Sequence, residues 1–181
     1  MKGDGVLARK LLNIKETAIA AARKLLEEQG IDGVTIRGVA SMCGIAVGTM
    51  YNYFPSKEYL IGCVVLEDWQ KTYSVMDKHS EEGSNVLESI GHIYEDMLFF
   101  AQTHTYLYSF HNWDTSGKYT HSSRHEELLR EMGIVVDKAL TTHSLELEKG
   151  ITLFICESII NSAVKNYIFE EVRPALEKLL T

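Results

Sequence analysis

The spacing of apolar residues constrains this chain more than any other feature. Along its 181 residues they recur every three to four positions, and no strand-length run alternates apolar with polar. Prolines stand only at 55 and 174, so little interrupts a helix. The expected fold class is all-α. Length and an apolar share of 45% fit a globular chain with a sizeable core.

Local punctuation divides this periodicity into helices. Asn13, with Glu16 three residues on, reads as the start of the first, and Gly30 as its end. Thr35 is a good N-cap for a two-turn helix whose Ile36, Val39, Ala40 and Cys43 share one face. Gly44 closes it in the position that favours a left-handed backbone. A third helix, Val47 to Phe54, points Met50 and Phe54 inward, with Ile45 just ahead as an anchor. Pro55 stops it, and Ser56 caps a fourth helix beginning at Lys57. Further helices are expected at about 85–103, 122–142, 146–169 and 171–180.

Two short helices with a glycine at the break describe a helix-turn-helix, whose second member enters the DNA major groove. Val47, Thr49, Tyr51, Asn52 and Tyr53 cannot all face a core already filled by Ile45, Met50 and Phe54, so they are expected to point outward. Tyrosine hydroxyls can bond phosphates, and Thr and Asn can read base edges. The alternative is a surface helix with ordinary half-buried tyrosines.

Net charge is −7, which taken alone disfavours a nucleic-acid partner. The charge is uneven. Residues 1–60 carry eight Lys/Arg against six Asp/Glu, and residues 61–181 carry ten against nineteen. A slightly basic head on an acidic body is compatible with a head that meets phosphate.

The stretch GVTIRGVASMCGIAVGTMYNYFPSKEYLI resembles the DNA-binding signature of the tetracycline-repressor (TetR) family. The shared pattern is a Thr-capped second helix, an Ala-x-x-x-Gly turn, a Gly-Thr-x-Tyr-x-x-Phe recognition helix and a Ser-Lys-Glu start to the fourth. The likeness runs from about Lys15 to Leu60. It implies a dimeric, ligand-responsive repressor with a DNA-binding domain at 1–60 and a helical ligand-binding and dimerisation body at 61–181. It places Thr35 and Arg37 at the phosphate backbone and Gly48, Thr49, Tyr51 and Tyr53 along the groove. Lys57 then sits beside a phosphate at a helix N-terminus. One departure stands out: the family often carries Ser-Lys before Gly-Thr, and here the residues are Ala46 and Val47.

The body's aromatic residues concentrate in its middle. Tyr94, Phe100, Tyr108, Phe110 and Trp113, with His104 and His111, are the expected lining of a cavity for a small, partly hydrophobic molecule. The alternative is that these rings fill the core. On the segment 150–168, Leu153, Ile155, Cys156, Ile159, Ile160, Ala163, Val164 and Tyr167 spread over about half the circumference, wider than one burial partner needs, and Ile155, Ile159, Ile160, Ala163, Val164 and Tyr167 are the expected subunit contacts. A second subunit is the expected extra partner.

His121 and His125 have a spacing that a metal can bridge, but no Cys–His cluster of structural-zinc spacing occurs, and neither metal nor cofactor is expected. No HExxH, GxSxG or phosphate-binding glycine loop suggests an enzyme. Three scattered cysteines suggest a reducing compartment and buried thiols. With no signal peptide or membrane span read, the expected location is the cytoplasm. The competing reading is a small-molecule-binding or structural helical protein whose head has lost DNA function. The Ala46-Val47 departure favours it.

Overall fold

A computed structural model describes the backbone of residues 3–105 and 121–180 and the side chains of 14–105 and 125–180. Eight helices make up the described residues, and no strand occurs among them. They are α1 (Gly3–Gly33), α2 (Ile36–Cys43), α3 (Val47–Tyr53), α4 (Lys57–His79), α5 (Val86–Thr103), α6 (His121–Thr142), α7 (Lys149–Val164) and α8 (Phe169–Leu179). The chain forms two compact units, Met1–Glu67 and Asp68–Thr181. The division falls within α4, later than the expected one after Leu60. No helix among the described residues is long and apolar enough to cross a membrane.

In the first unit α1 packs on α2 and α2 on α3. Ala18 and Ala22 of α1, Val39 of α2, Met50 of α3 and Phe54 beyond it are all at most 1% exposed. The small alanines let the helix axes approach, and Met50 and Phe54 fill the remaining space. Burying a side chain of that size contributes about 1.5–3 kcal/mol. The expected start at Asn13 is corrected, since α1 is already helical from Gly3. Gly30 breaks the helix as its residue type suggests, with φ 67° and ψ −172°, and a short turn to Gly33 follows.

In the second unit α5 packs against α6, α7 and α8. Asn85 caps α5 by accepting from the Glu88 N–H at 3.0 Å, and Glu88 returns to accept from the Ser84 N–H at 2.8 Å. The core gathers Ile90 and Ile93 of α5, Met132 and Val136 of α6, and Ile155 and Ile159 of α7, all wholly buried. The Cys156 thiol lies among them, and burial pushes its pKa up to about 12. That keeps the group a neutral, inert filler at ordinary pH.

The C-terminal boundaries differ from expectation. α7 ends at Val164 rather than near 169, because Asn166 takes a left-handed backbone at φ 62°. Asparagine is among the few residues that tolerate it. Tyr167 therefore lies beyond α7, not on its apolar arc. α8 begins at Phe169, with Glu171 accepting from the Ile168 N–H at 2.9 Å, so Pro174 sits in its second turn.

Gly91 makes α8's attachment to α5 possible, because a Cβ there would lie 2.9 Å from the Phe169 ring. Nearby, the wholly buried Tyr94 donates its hydroxyl to the Tyr167 carbonyl at 2.7 Å. Burial, with Glu95 and Glu171 adding to it, pushes its pKa up to about 12, so it stays a donor. Tyr94→Phe keeps the ring and strands that carbonyl. The expected result is a loss of about 1 kcal/mol in denaturant unfolding with the m-value unchanged. An unchanged midpoint would show the carbonyl finding water instead.

Candidate nucleic-acid interface

Local hydrogen bonds fix both ends of α2 and its turn into α3. Thr35 accepts from the Gly38 N–H at 2.9 Å, satisfying a donor that the start of α2 would otherwise leave open. Gly44 closes α2 at φ 64° and ψ 30°. Its N–H reaches Ser41 O at 3.2 Å, and the Ile45 N–H reaches Ala40 O at 3.0 Å. A residue with a Cβ would be strained at that φ.

α3 has no side-chain cap, since Ala46 offers no acceptor. Only its backbone carbonyl takes part, accepting from Thr49 N–H at 2.9 Å and Met50 N–H at 3.2 Å. The helix is held from beneath by Met50 and by Phe54, whose N–H bonds Met50 O at 2.9 Å. Phe54 lies between Tyr53 and Tyr59, with ring centroids 6.5 Å and 6.4 Å away. Ser56 then caps α4 by accepting from the Tyr59 N–H at 3.1 Å. Within the same unit Arg23 of α1 pairs with Glu67 of α4 at 3.2 Å.

This scaffold presents a mixed outer face. Tyr51 is 53% exposed. Thr35, Arg37, Gly48 and Asn52 are also exposed, while Val47, Thr49, Tyr53 and Lys57 are half-buried. All nine sequence-selected residues thus lie on or beside the α2–α3 turn with at least part of their surface open. The expectation that Val47, Thr49 and Tyr53 point fully outward is moderated: each leans partly on the unit's own core. Sequence reasoning did not select Met42 of α2 or Tyr59 of α4, which are 46% and 49% exposed. A large apolar or aromatic side chain left outside the core was the signal available.

The sequence model of the family described as bacterial regulatory proteins, tetR family, matches residues 18–62, the segment that builds this turn and its supports. Over these residues the chain matches the TetR family. The chain is 35% identical over 51 residues to the HTH-type transcriptional regulator UidR of Escherichia coli K12. That match covers 28% of this chain and 26% of UidR, so it spans about a quarter of the relative's length. Over most of its length the chain shares its fold with solved structures. One is FadR of Bacillus subtilis in complex with stearoyl-CoA, with TM-score 0.60 and 15% identity, covering 92% of this chain and 97% of that one. Another is a TetR/AcrR-family regulator of Thermobifida fusca, with TM-score 0.61 and 17% identity, covering 93% and 96%.

The second unit holds the other sequence-selected residues. Tyr94 is part of the core. Phe100 is 9% exposed and packs edge-on against Trp69 at 5.2 Å, while Trp69 donates its indole N–H to Glu131. His104, 3% exposed, bonds Phe100 O through Nδ1 at 2.9 Å and faces Asp68 through Nε2 at 3.2 Å. Tyr108, Phe110, His111 and Trp113 lie outside the described residues. His125 faces Glu157 at 3.0 Å.

The expected subunit-contact residues are redistributed by the fold. Ile155, Ile159, Ile160 and Ala163 are at most 5% exposed within the single chain, covered by α5, α6 and α8. Their arc is filled by the chain's own body, so they have almost no surface left to offer a partner. Val164 is half-buried and Tyr167 is 46% exposed beyond the helix end. The apolar groups that α7 leaves open are Leu153 and Phe154, at 51% and 59% exposure.

Proposed function

We propose that this chain is a TetR-family, ligand-responsive, homodimeric transcriptional regulator. It acts as a repressor, with each α3 in a major groove of a near-palindromic operator. The observation that carries the reading is the α2–α3 pair, in which Thr35 caps the start of α2 and Gly44 turns the chain into α3, leaving Tyr51 and Asn52 exposed and Met50 buried. The resemblance to UidR over 51 residues supports it. By the same reading Arg37 and Lys57 meet phosphates and the acidic body meets the effector.

Mobility shifts against the DNA upstream of the chain's own gene test this directly, with unrelated DNA as control. A sharp, competitor-resistant shift is expected. Equal weak affinity for both DNAs would favour a helical protein that has lost DNA function. Gly48 offers a sharper arm. A Cβ there would meet no atom within 4 Å, so packing inside the chain does not require glycine. Gly48→Ala is expected to stabilise the protein by up to about 1 kcal/mol, the helical preference of Ala over Gly. The same methyl, facing outward, is expected to weaken operator binding. A variant that gains stability and keeps full affinity would move the groove contact away from residue 48.

The effector is proposed to be small and partly hydrophobic. FadR of B. subtilis shares the fold and is seen with stearoyl-CoA, a molecule with a long apolar part. A ligand releases DNA only through its differential affinity for two conformations. A ten- to hundredfold loss of operator affinity needs about 1.4–2.7 kcal/mol of such coupling. Stearoyl-CoA is a suitable first probe. Phe100→Ala and Trp113→Ala are expected to change the response to a releasing ligand more than operator binding without it. Variants that respond normally would assign those rings to core filling.

A further inference from the structure

The side chains of α3 restrict which bases it can read, given the proposed DNA-binding function on which this rests. α3 has the sequence VGTMYNY and carries no charged side chain. The residue ahead of it, Ala46, is exposed and adds only a methyl. Residues at the N-terminal end of a recognition helix make the base-edge contacts. Here that end offers the methyl of Ala46, the isopropyl of Val47, the bare backbone of Gly48 and the hydroxyl of Thr49. Farther along the helix, Tyr51 and the Asn52 amide are exposed.

The major-groove code assigns these groups unequal partners. Guanine is most often read by Arg or Lys, which donate twice to O6 and N7. α3 has neither. Acidic side chains that accept from cytosine N4 are missing from it as well. An amide such as Asn52 matches adenine, donating to N7 and accepting from N6. Small apolar groups match the thymine 5-methyl. Arg37 and Lys57 stand on α2 and at the start of α4, outside this helix.

We propose that α3 reads A·T base pairs, with Ala46 and Val47 against thymine methyl groups and Asn52 on an adenine edge. Gly48 is the point of closest backbone approach between them. This set of groups discriminates by apolar fit and one amide, with charge confined to the flanking phosphates.

Selection of bound sequences from a random DNA pool by the full-length protein comes first, repeated with Val47→Ala and Asn52→Ala. The positions whose preference changes in these variants are the ones α3 reads, and they are expected to be A·T. Replacing thymine by deoxyuridine at the Val47-dependent position removes one methyl. The expected loss is about fourfold per half-site, the equivalent of about 0.8 kcal/mol at 1.4 kcal/mol per tenfold. Val47→Ala should largely abolish that difference. Replacing adenine by 7-deazaadenine at the Asn52-dependent position should cost about 5- to 160-fold. Selection of G·C pairs at these positions, or indifference to the thymine methyl, overturns the proposal while leaving DNA recognition intact. Failure to select any sequence overturns the DNA-binding reading and this proposal with it.

Discussion

Operator affinity is expected to fall by about 10²-fold between 50 and 200 mM salt. That fall corresponds to about four neutralised phosphates shared by two heads, one for each Arg37 and Lys57 of the proposed clamp. In that clamp the hydroxyls of Thr49, Tyr51 and Tyr53 would add uncharged hydrogen bonds to the backbone. The physical cause is release of counterions condensed on the duplex, so the slope counts neutralised phosphates. The charge of −7 on the chain works against binding wherever those phosphates are not engaged. Non-specific association should therefore vanish first as salt rises. Lys57→Ala should lower affinity for all sequences alike and flatten the slope by about one for each phosphate it no longer neutralises. Titrations across a series of salt concentrations measure this, and a flat response would sink the phosphate clamp.

The second large effect separates two neighbours on α7. Ile155 is wholly buried and Phe154 is 59% exposed. Ile155→Asp puts a carboxylate among Ile90, Met132 and other core residues, with desolvation costing several kcal/mol. That is comparable to the entire stability of many domains, and an unfolded or insoluble protein is expected. Phe154→Asp places the charge on the outer face, where a folded chain can solvate it. If that face joins two subunits, the variant should keep its helical circular dichroism, sediment as a monomer and lose operator affinity by about 10²- to 10⁴-fold. Two linked heads make the second DNA contact intramolecular, and a monomer forfeits that gain. A folded Phe154→Asp dimer with normal operator binding would remove the Leu153–Phe154 face from the interface.

The head was the most legible region in the sequence because its geometry is set by local chemistry. Thr35, Gly44 and Ser56 each act within four residues of themselves, and each bond or backbone angle falls where the residue type requires. The start of α1 was misread for the converse reason: Asn13 can cap, yet helix from Gly3 onward leaves it nothing to cap. The end of α7 carried a weak signal, one asparagine without Gly or Pro, so the apolar period was carried too far and took Tyr167 with it. On α7 the apolar arc holds Ile155, Ile159, Ile160 and Ala163, all buried within the single chain, and periodicity says that a face is covered and never by whom. The neighbouring helices α6 and α8, and α5 from farther back in the chain, supply the cover. Tyr94 illustrates the same limit in the candidate cavity, since its bond to Tyr167 O is a long-range contact invisible to spacing.

The contrast between local and distant packing also bears on how the protein is made. The head closes through α1 on α2 and α2 on α3, whereas the body must bring α5 onto α7 across the intervening α6. Short sequence separation favours fast closure. At ordinary translation rates of about 5–20 residues per second, the chain from Glu67 to the end of α7 takes roughly 5–20 s to synthesise. A nascent chain thus has time to fold its DNA-facing surface well before its core is complete. On the proposed function such a head has no partner and few charges, so it grips an operator only weakly. Chains still on the ribosome then leave operators to finished dimers, and occupancy follows the concentration of assembled protein.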